Sequence, residues 1–129
     1  MKDVHFVGKI NREIFKAVSD DIQTDEVIIT DERIKHIKDN HPGDYEKYFD
    51  KYAGSIIASP DYIVEANQSK SGLLLKSVYN GEEVFKLVLR VKTSDDDPNY
   101  KNSVITFMKI DEKEWNRLIK NKKVLYKRE

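Results

Sequence analysis

At Ser59-Pro60-Asp61 the hydrophobic spacing of this chain changes, and that change constrains the fold more than any other feature. Before it, apolar residues recur every three or four positions, as on one face of a helix. After it they recur every second position, as on a strand. In the first half, Asn11 suits an N-cap, with Ile10 and Phe15 spaced as a hydrophobic staple and Ile14, Phe15 and Val18 as an apolar stripe. A brief apolar run at 27–29 feeds Thr30, a second N-cap, with Asp31 and Glu32 in the first turn. That helix runs through Ile34, His36 and Ile37 towards His41 and stops at Pro42-Gly43, because a residue before proline avoids the helical region. Asp44 opens another helix with Tyr48, Phe49, Tyr52, Ile56 and Ile57 as its buried stripe.

In the second half the pattern predicts strands at 62–65, 73–79, 84–92 and 102–110, with Asn80-Gly81 as the turn between the second and third. Short strands are expected at 4–7 and 124–126. The loop 93–101, with three aspartates and Pro98, is expected to be mobile. Asp111 and Glu114 form an Asp-x-x-Glu cap for a helix carrying Trp115, Leu118 and Ile119. The expected fold is therefore α+β. Its N-terminal helices pack on one face of a four- to five-stranded antiparallel sheet, and a further helix lies near the C-terminus.

The length of 129 residues suits a single domain over 1–129. With 39% hydrophobic and 36% charged residues, the chain is too apolar to be disordered and has a heavily charged skin. No cysteine is present, which excludes disulfides, thiolate metal sites and a cysteine nucleophile. Its N-terminus lacks an apolar signal region, and no apolar run approaches the ~20 residues of a membrane span. The expectation is a cytoplasmic protein with no membrane partner, either where it is made or after delivery into a target cell. The 23 basic and 23 acidic residues cancel, which weakens a DNA-coating role but leaves room for a local cationic patch.

Strand alternation sorts the sheet residues into two faces. Phe85, Leu87, Leu89 and Val91 oppose Lys86, Val88 and Arg90; Ser103, Ile105 and Phe107 oppose Asn102, Val104 and Thr106; Leu73, Leu75 and Tyr79 oppose Leu74, Lys76 and Val78. The apolar face should pack on the helices, while the other collects Lys76, Lys86, Arg90, Asn102 and Thr106 with no carboxylate. The bland reading is the solvated face of a half-buried sheet. The chemical reading is a strip that binds phosphate and stabilises charge developing on a phosphorane.

Histidine offers a proton donor or acceptor near neutral pH, which attack by a ribose 2′-hydroxyl requires. At ~100° per residue, His36 and His41 point about 140° apart on a straight helix, so they cannot share one metal. At most one should meet the basic strip. Each also has an ordinary reading, His41 as a helix C-terminal imidazolium that complements the dipole and His36 as an exposed helix residue.

Residues 29–42, Ile-Thr-Asp-Glu-Arg-Ile-Lys-His-Ile-Lys-Asp-Asn-His-Pro, resemble the opening motif of phage-encoded barnase/EndoU/colicin/RelE-like nuclease domains. The resemblance continues through Pro60-Asp61-Tyr-Ile, Leu74-Leu-Lys, Asn102-Ser-Val-Ile-Thr-Phe and Leu125-Tyr-Lys, and covers about residues 25–128. It implies RNA cleavage without a metal or other cofactor, by 2′-hydroxyl attack to a cyclic phosphate. Such families occur in phages, mobile elements and toxin systems, so RNA (tRNA among the candidates) and an immunity protein or antitoxin are the implied partners. Carried over onto this chain, the resemblance implies catalytic roles for His36, His41, Arg90 and Thr106, with His36 preferred as acid or base. It implies substrate contacts for Lys76, Lys86, Asn102, Ser103 and Tyr126, the last by stacking on a base. Alternation sets Ser103 and Thr106 on opposite faces unless a bulge intervenes. Asn40, where a basic residue is expected, and the absence of an evident carboxylate base admit the alternative of a catalytically inactive binding module of the same fold.

Overall fold

A computed structural model describes residues 3–78 and 80–128. The elements in chain order are β1 (Val4–Lys9), α1 (Arg12–Phe15), β2 (Glu26–Thr30), α2 (Asp31–Asn40), a wide π-helical turn (Tyr45–Phe49) that runs into α3 (Asp50–Ala58), β3 (Tyr62–Glu65), β4 (Ser71–Val78), β5 (Glu83–Arg90), β6 (Asn102–Ile110), α4 (Glu112–Asn121) and β7 (Val124–Lys127). The seven strands form one sheet in the order β1-β2-β6-β5-β4-β3-β7. The architecture is mixed α+β, but the sheet is larger than the four or five strands expected. The terminal strands β1 and β7 extend it at either edge, and the short β2–β6 pairing is parallel. Tyr79, expected to end the second strand, lies outside the described residues. Among the described residues no helix is long and apolar enough to cross a membrane.

The caps act where their chemistry puts them. Asn11 accepts from the Glu13 N–H, Thr30 from Arg33 and Asp111 from Glu114, each satisfying a donor that its first helical turn leaves free. Asn80 and Gly81 adopt φ of 57° and 89°, the positive values that the turn between β4 and β5 requires.

One sheet face carries Ile29, Ile63, Leu74, Phe85, Leu87, Leu89, Val104 and Phe107, all essentially inaccessible, against Phe15 of α1, Ile37 of α2 and Ile56 and Ile57 of α3. Phe85 and Phe107 stack with centroids 5.5 Å apart. Each such buried side chain contributes about 1.5–3 kcal/mol. The other face is not left to solvent. α4 crosses it, burying Leu118 against Val64, Leu73 and Leu75 while Trp115 meets Tyr62 edge-on. The N-terminal helices therefore lie on one face and α4 on the other.

Register corrects the expected faces. Lys76 pairs with Phe85 and Lys86 with Leu75, so the two lysines point to opposite sides of the sheet. In β6, Val88 pairs with Thr106 but Leu89 with Val104, which leaves Ile105 as an extra residue in a bulge. Period-two alternation fails there. Asn102 and Val104 join Phe107 on the helix face, while Ser103 and Thr106 come together on the α4 face.

Candidate active site

α2 follows β2 directly and packs through Ile37 into the main core. β2 pairs with β6 only at Val27–Asn102 and Ile28–Ser103, then ends at Thr30. α2 takes over and packs beside the remainder of β6. Ile37 is fully buried, which fixes the rotation of the helix. At its end, His41 leaves the helix with φ −136° and ψ 69°, as the proline that follows requires, while its N–H still donates to Ile37 O at 2.8 Å. The wheel angle between His36 and His41 therefore does not apply. The turn is held at a second point, where the Asp44 carboxylate accepts the Lys109 N–H at 3.0 Å. Asp44 thus caps the edge of β6 instead of the helix that follows it.

Lys109 neighbours Met108, which is the cross-strand partner of Lys86. This places the His41 turn at the rim where Lys86 emerges. Burial pushes the His41 imidazole below its ordinary range. Asp44 opposes that shift, and the Lys86 and His36 charges add to it. The neutral, proton-accepting form is favoured. His36 is exposed, with its Nδ1 3.3 Å from the Asn40 amide nitrogen.

Inward of Lys86, a cleft of about 420 Å³ lies between the sheet and α4. Its floor is Leu73, Val88, Ile105 and Met108, and Leu118 forms the helix wall. Asn67, Gln68, Arg117 and Lys122 stand around it. Thr106 lines it too, and the Thr106 Oγ1 is buried with no hydrogen-bond partner among the described residues. The carboxylate-free strip expected from the sequence gains a carboxylate from α4. Glu114 lies 3.6 Å from Lys86 and forks onto Arg117 through two bonds of 2.7 Å. Those contacts, Arg117 first, hold its carboxyl below the usual range.

The remaining candidates lie elsewhere. Arg90 shares the Lys86 face, but four residues along a strand is roughly 13 Å. Its guanidinium is forked onto Asp96 at 2.8 and 3.1 Å. Ser103 sits with Arg90, Tyr100 and Lys101 around a separate hollow. Asp96 also accepts the Thr93 N–H, while Asp95 takes Lys70 at 2.7 Å and Asp21 takes Ser94. The loop expected to be mobile is thus tied down by two of its own aspartates and by Asp21. Lys76 is buried on the helix face and donates to Ser59 O at 2.7 Å. Asn102 is fully buried, donating to Thr24 O and accepting from the Lys92 N–H at 2.7 Å each. Tyr126 pairs with Ile63 and packs on the main core. Lys76, Asn102 and Tyr126 therefore hold the structure together on the side of the sheet away from Lys86.

Glu114, Arg117, Lys122, Asn67 and Gln68 carried no signal beyond a helix cap and a polar surface. Only the placement of α4 makes them neighbours of Lys86.

Residues 3–127 match the family described as phage-Barnase-EndoU-ColicinE5/D-RelE like nuclease2. No curated protein and no solved structure matches the chain.

Proposed function

This chain belongs to the phage-Barnase-EndoU-ColicinE5/D-RelE like nuclease2 family, and from that premise we propose that it is a metal-independent endoribonuclease. The observation that carries the reading is His41, half-buried, disfavoured from protonation and close enough to feel the charge of Lys86, which itself lines a cleft. In this reading His41 takes the proton of a ribose 2′-hydroxyl. The 2′-oxygen bonds to phosphorus, the bond from phosphorus to the 5′-oxygen breaks, and a cyclic phosphate is left. His36 returns a proton to the departing 5′-oxygen. Lys86 and the Thr106 hydroxyl stabilise the phosphorane, which carries more charge on its oxygens than the ground state. Arg90 and Ser103 sit further along the same face, where they would meet a neighbouring phosphate once Asp96 is displaced. A phage or mobile-element toxin acting on cytoplasmic RNA, tRNA included, and restrained by an immunity protein or antitoxin, fits the same chemistry.

A second reading, a catalytically inactive binding module, is favoured by one observation. Both cations of the face, Lys86 and Arg90, have carboxylates at hand. Incubating the purified protein with total RNA in EDTA separates the two. The nuclease reading expects cleavage with cyclic-phosphate ends that persists in EDTA and is lost in His41→Ala and Lys86→Ala. RNA that is bound but intact supports the module, and cleavage that needs a divalent metal overturns the mechanism.

A further inference from the structure

The His41-Pro42-Gly43-Asp44 segment is a turn closed on itself. The Asp44 N–H donates to His41 O at 3.1 Å, across a proline whose ring fixes φ and a glycine at φ 89°. Those residues fill the second and third positions of a type II turn, the third of which needs positive φ. At its start the turn hangs on α2, where the His41 N–H still reaches Ile37 O. Its far end is tied elsewhere. The Asp44 carboxylate accepts the Lys109 N–H of β6, on the edge that β2 leaves beyond Ser103. One side chain thus fixes the turn to a strand whose neighbouring residue, Met108, lies across from Lys86.

The charges that act on His41 come from separate elements. Asp44 lies on the turn, His36 on α2 and Lys86 on β5. Lys86 in turn has Glu114 of α4 at 3.6 Å. Other cations near the turn have other partners: Lys109 has Tyr48 and Glu83, and Lys38 has Tyr45 and Glu46.

We propose that Asp44 is a positioning residue for His41, its carboxylate clamping the turn to β6 and so setting the distance between the imidazole and Lys86. The inference rests on the nuclease reading for its purpose, since a proton acceptor must stand at a fixed place near the reacting phosphate. The same carboxylate favours the imidazolium, whereas Lys86 and His36 disfavour it. Position and charge can be separated. Asp44→Asn keeps an oxygen that can accept the Lys109 N–H but removes the charge, and Asp44→Ala removes both.

The test follows the His41 imidazole of the full chain by NMR as pH is varied, and the Lys109 amide by hydrogen exchange. Exchange at Lys109 should quicken about tenfold in Asp44→Ala and stay within about threefold of wild type in Asp44→Asn. The His41 midpoint should fall in Asp44→Asn. Lys86→Met, which removes a nearby cation, should raise that midpoint in the wild type and in Asp44→Asn. In Asp44→Ala, with the turn unclamped, Lys86→Met should raise it less. An equal effect of Lys86→Met in all three backgrounds overturns the positioning role. Circular dichroism and thermal melting check that Asp44→Ala is folded. If it is not, Asp44→Asn decides: kept protection at Lys109 with a lower His41 midpoint supports the role, and lost protection or an unmoved midpoint overturns it. RNA cleavage is scored separately, and Asp44→Ala should lose about 10²-fold. Full cleavage by Asp44→Ala sinks the positioning role and leaves the nuclease reading. The expected NMR pattern in a protein that cleaves no RNA sinks the nuclease reading and leaves the clamp.

Discussion

The Glu114 carboxylate stands 3.6 Å from the Lys86 ammonium, reaching it from a helix on the far side of the cleft. Both side chains are substantially shielded, with 29% and 17% of their surface exposed, so the pair is less screened than a surface pair. Glu114 pairs with both Lys86 and Arg117, and in the proposed nuclease it competes with an RNA phosphate for them.

Glu114→Gln should therefore strengthen RNA binding. One relieved ion pair corresponds to about 1 kcal/mol, or roughly fivefold in affinity. The salt dependence should steepen, since freed cations release more counterions from the nucleic acid. Anisotropy titrations at several salt concentrations read both effects. Unchanged affinity and slope would mean that Lys86 and Arg117 do not contact phosphate.

The pH dependence follows from His41. Its folded imidazole binds a proton less readily than an unfolded one, chiefly through burial. The His41-dependent part of cleavage should fall on the acid side, with a midpoint below the ordinary histidine range. The same limb should be absent from any residual activity of His41→Ala, reduced about 10²- to 10⁴-fold. The sign for stability is also set. As pH falls through the ordinary histidine range the unfolded chain takes up more protons, so His41 makes the fold less stable there, and His41→Ala should lessen that loss in urea titrations.

Thr106 should trade stability for function. Its buried hydroxyl has no partner among the described residues, and valine has the same shape without that unmet group. Thr106→Val should keep or raise stability, by up to about 1–3 kcal/mol. RNA cleavage should fall. A variant that is as active as the wild type would remove Thr106 from the site.

Lys76 should behave in the opposite way. Lys76→Met keeps the apolar stem but leaves the half-buried Ser59 carbonyl without its 2.7 Å donor. A loss of about 1–3 kcal/mol in urea unfolding is expected. Affinity for RNA, normalised to folded protein, should not change, because Lys76 points away from Lys86. A selective loss of binding would contradict the register of β4 on β5.

Local chemistry made much of the fold legible. Asn11, Thr30 and Asp111 cap helices through bonds to residues two or three positions away, so their neighbours alone decide them. Strands β3 and β6 have the limits that their alternation predicts, and Asn80-Gly81 turns where positive φ is affordable. β1 and β7 were legible as short strands but not as sheet edges, because an edge is defined by its distant partner.

The candidate site was legible only as a set of residue types. Sequence alone determined that His36 and His41 lie at the end of a helix stopped by Pro42, and that Lys86 and Arg90 share a face of one strand. Tertiary structure decided the rest. A one-residue bulge at Ile105 moves Ser103 and Thr106 to a common face, and the register of β4 on β5 sends Lys76 to the core. The packing of α4 on the second sheet face brings Glu114, Arg117 and a cleft to Lys86. The reason is physical. Caps and turns are settled by contacts within a few residues, whereas register, bulges and the face a helix covers depend on side chains that meet only after the chain has closed on itself.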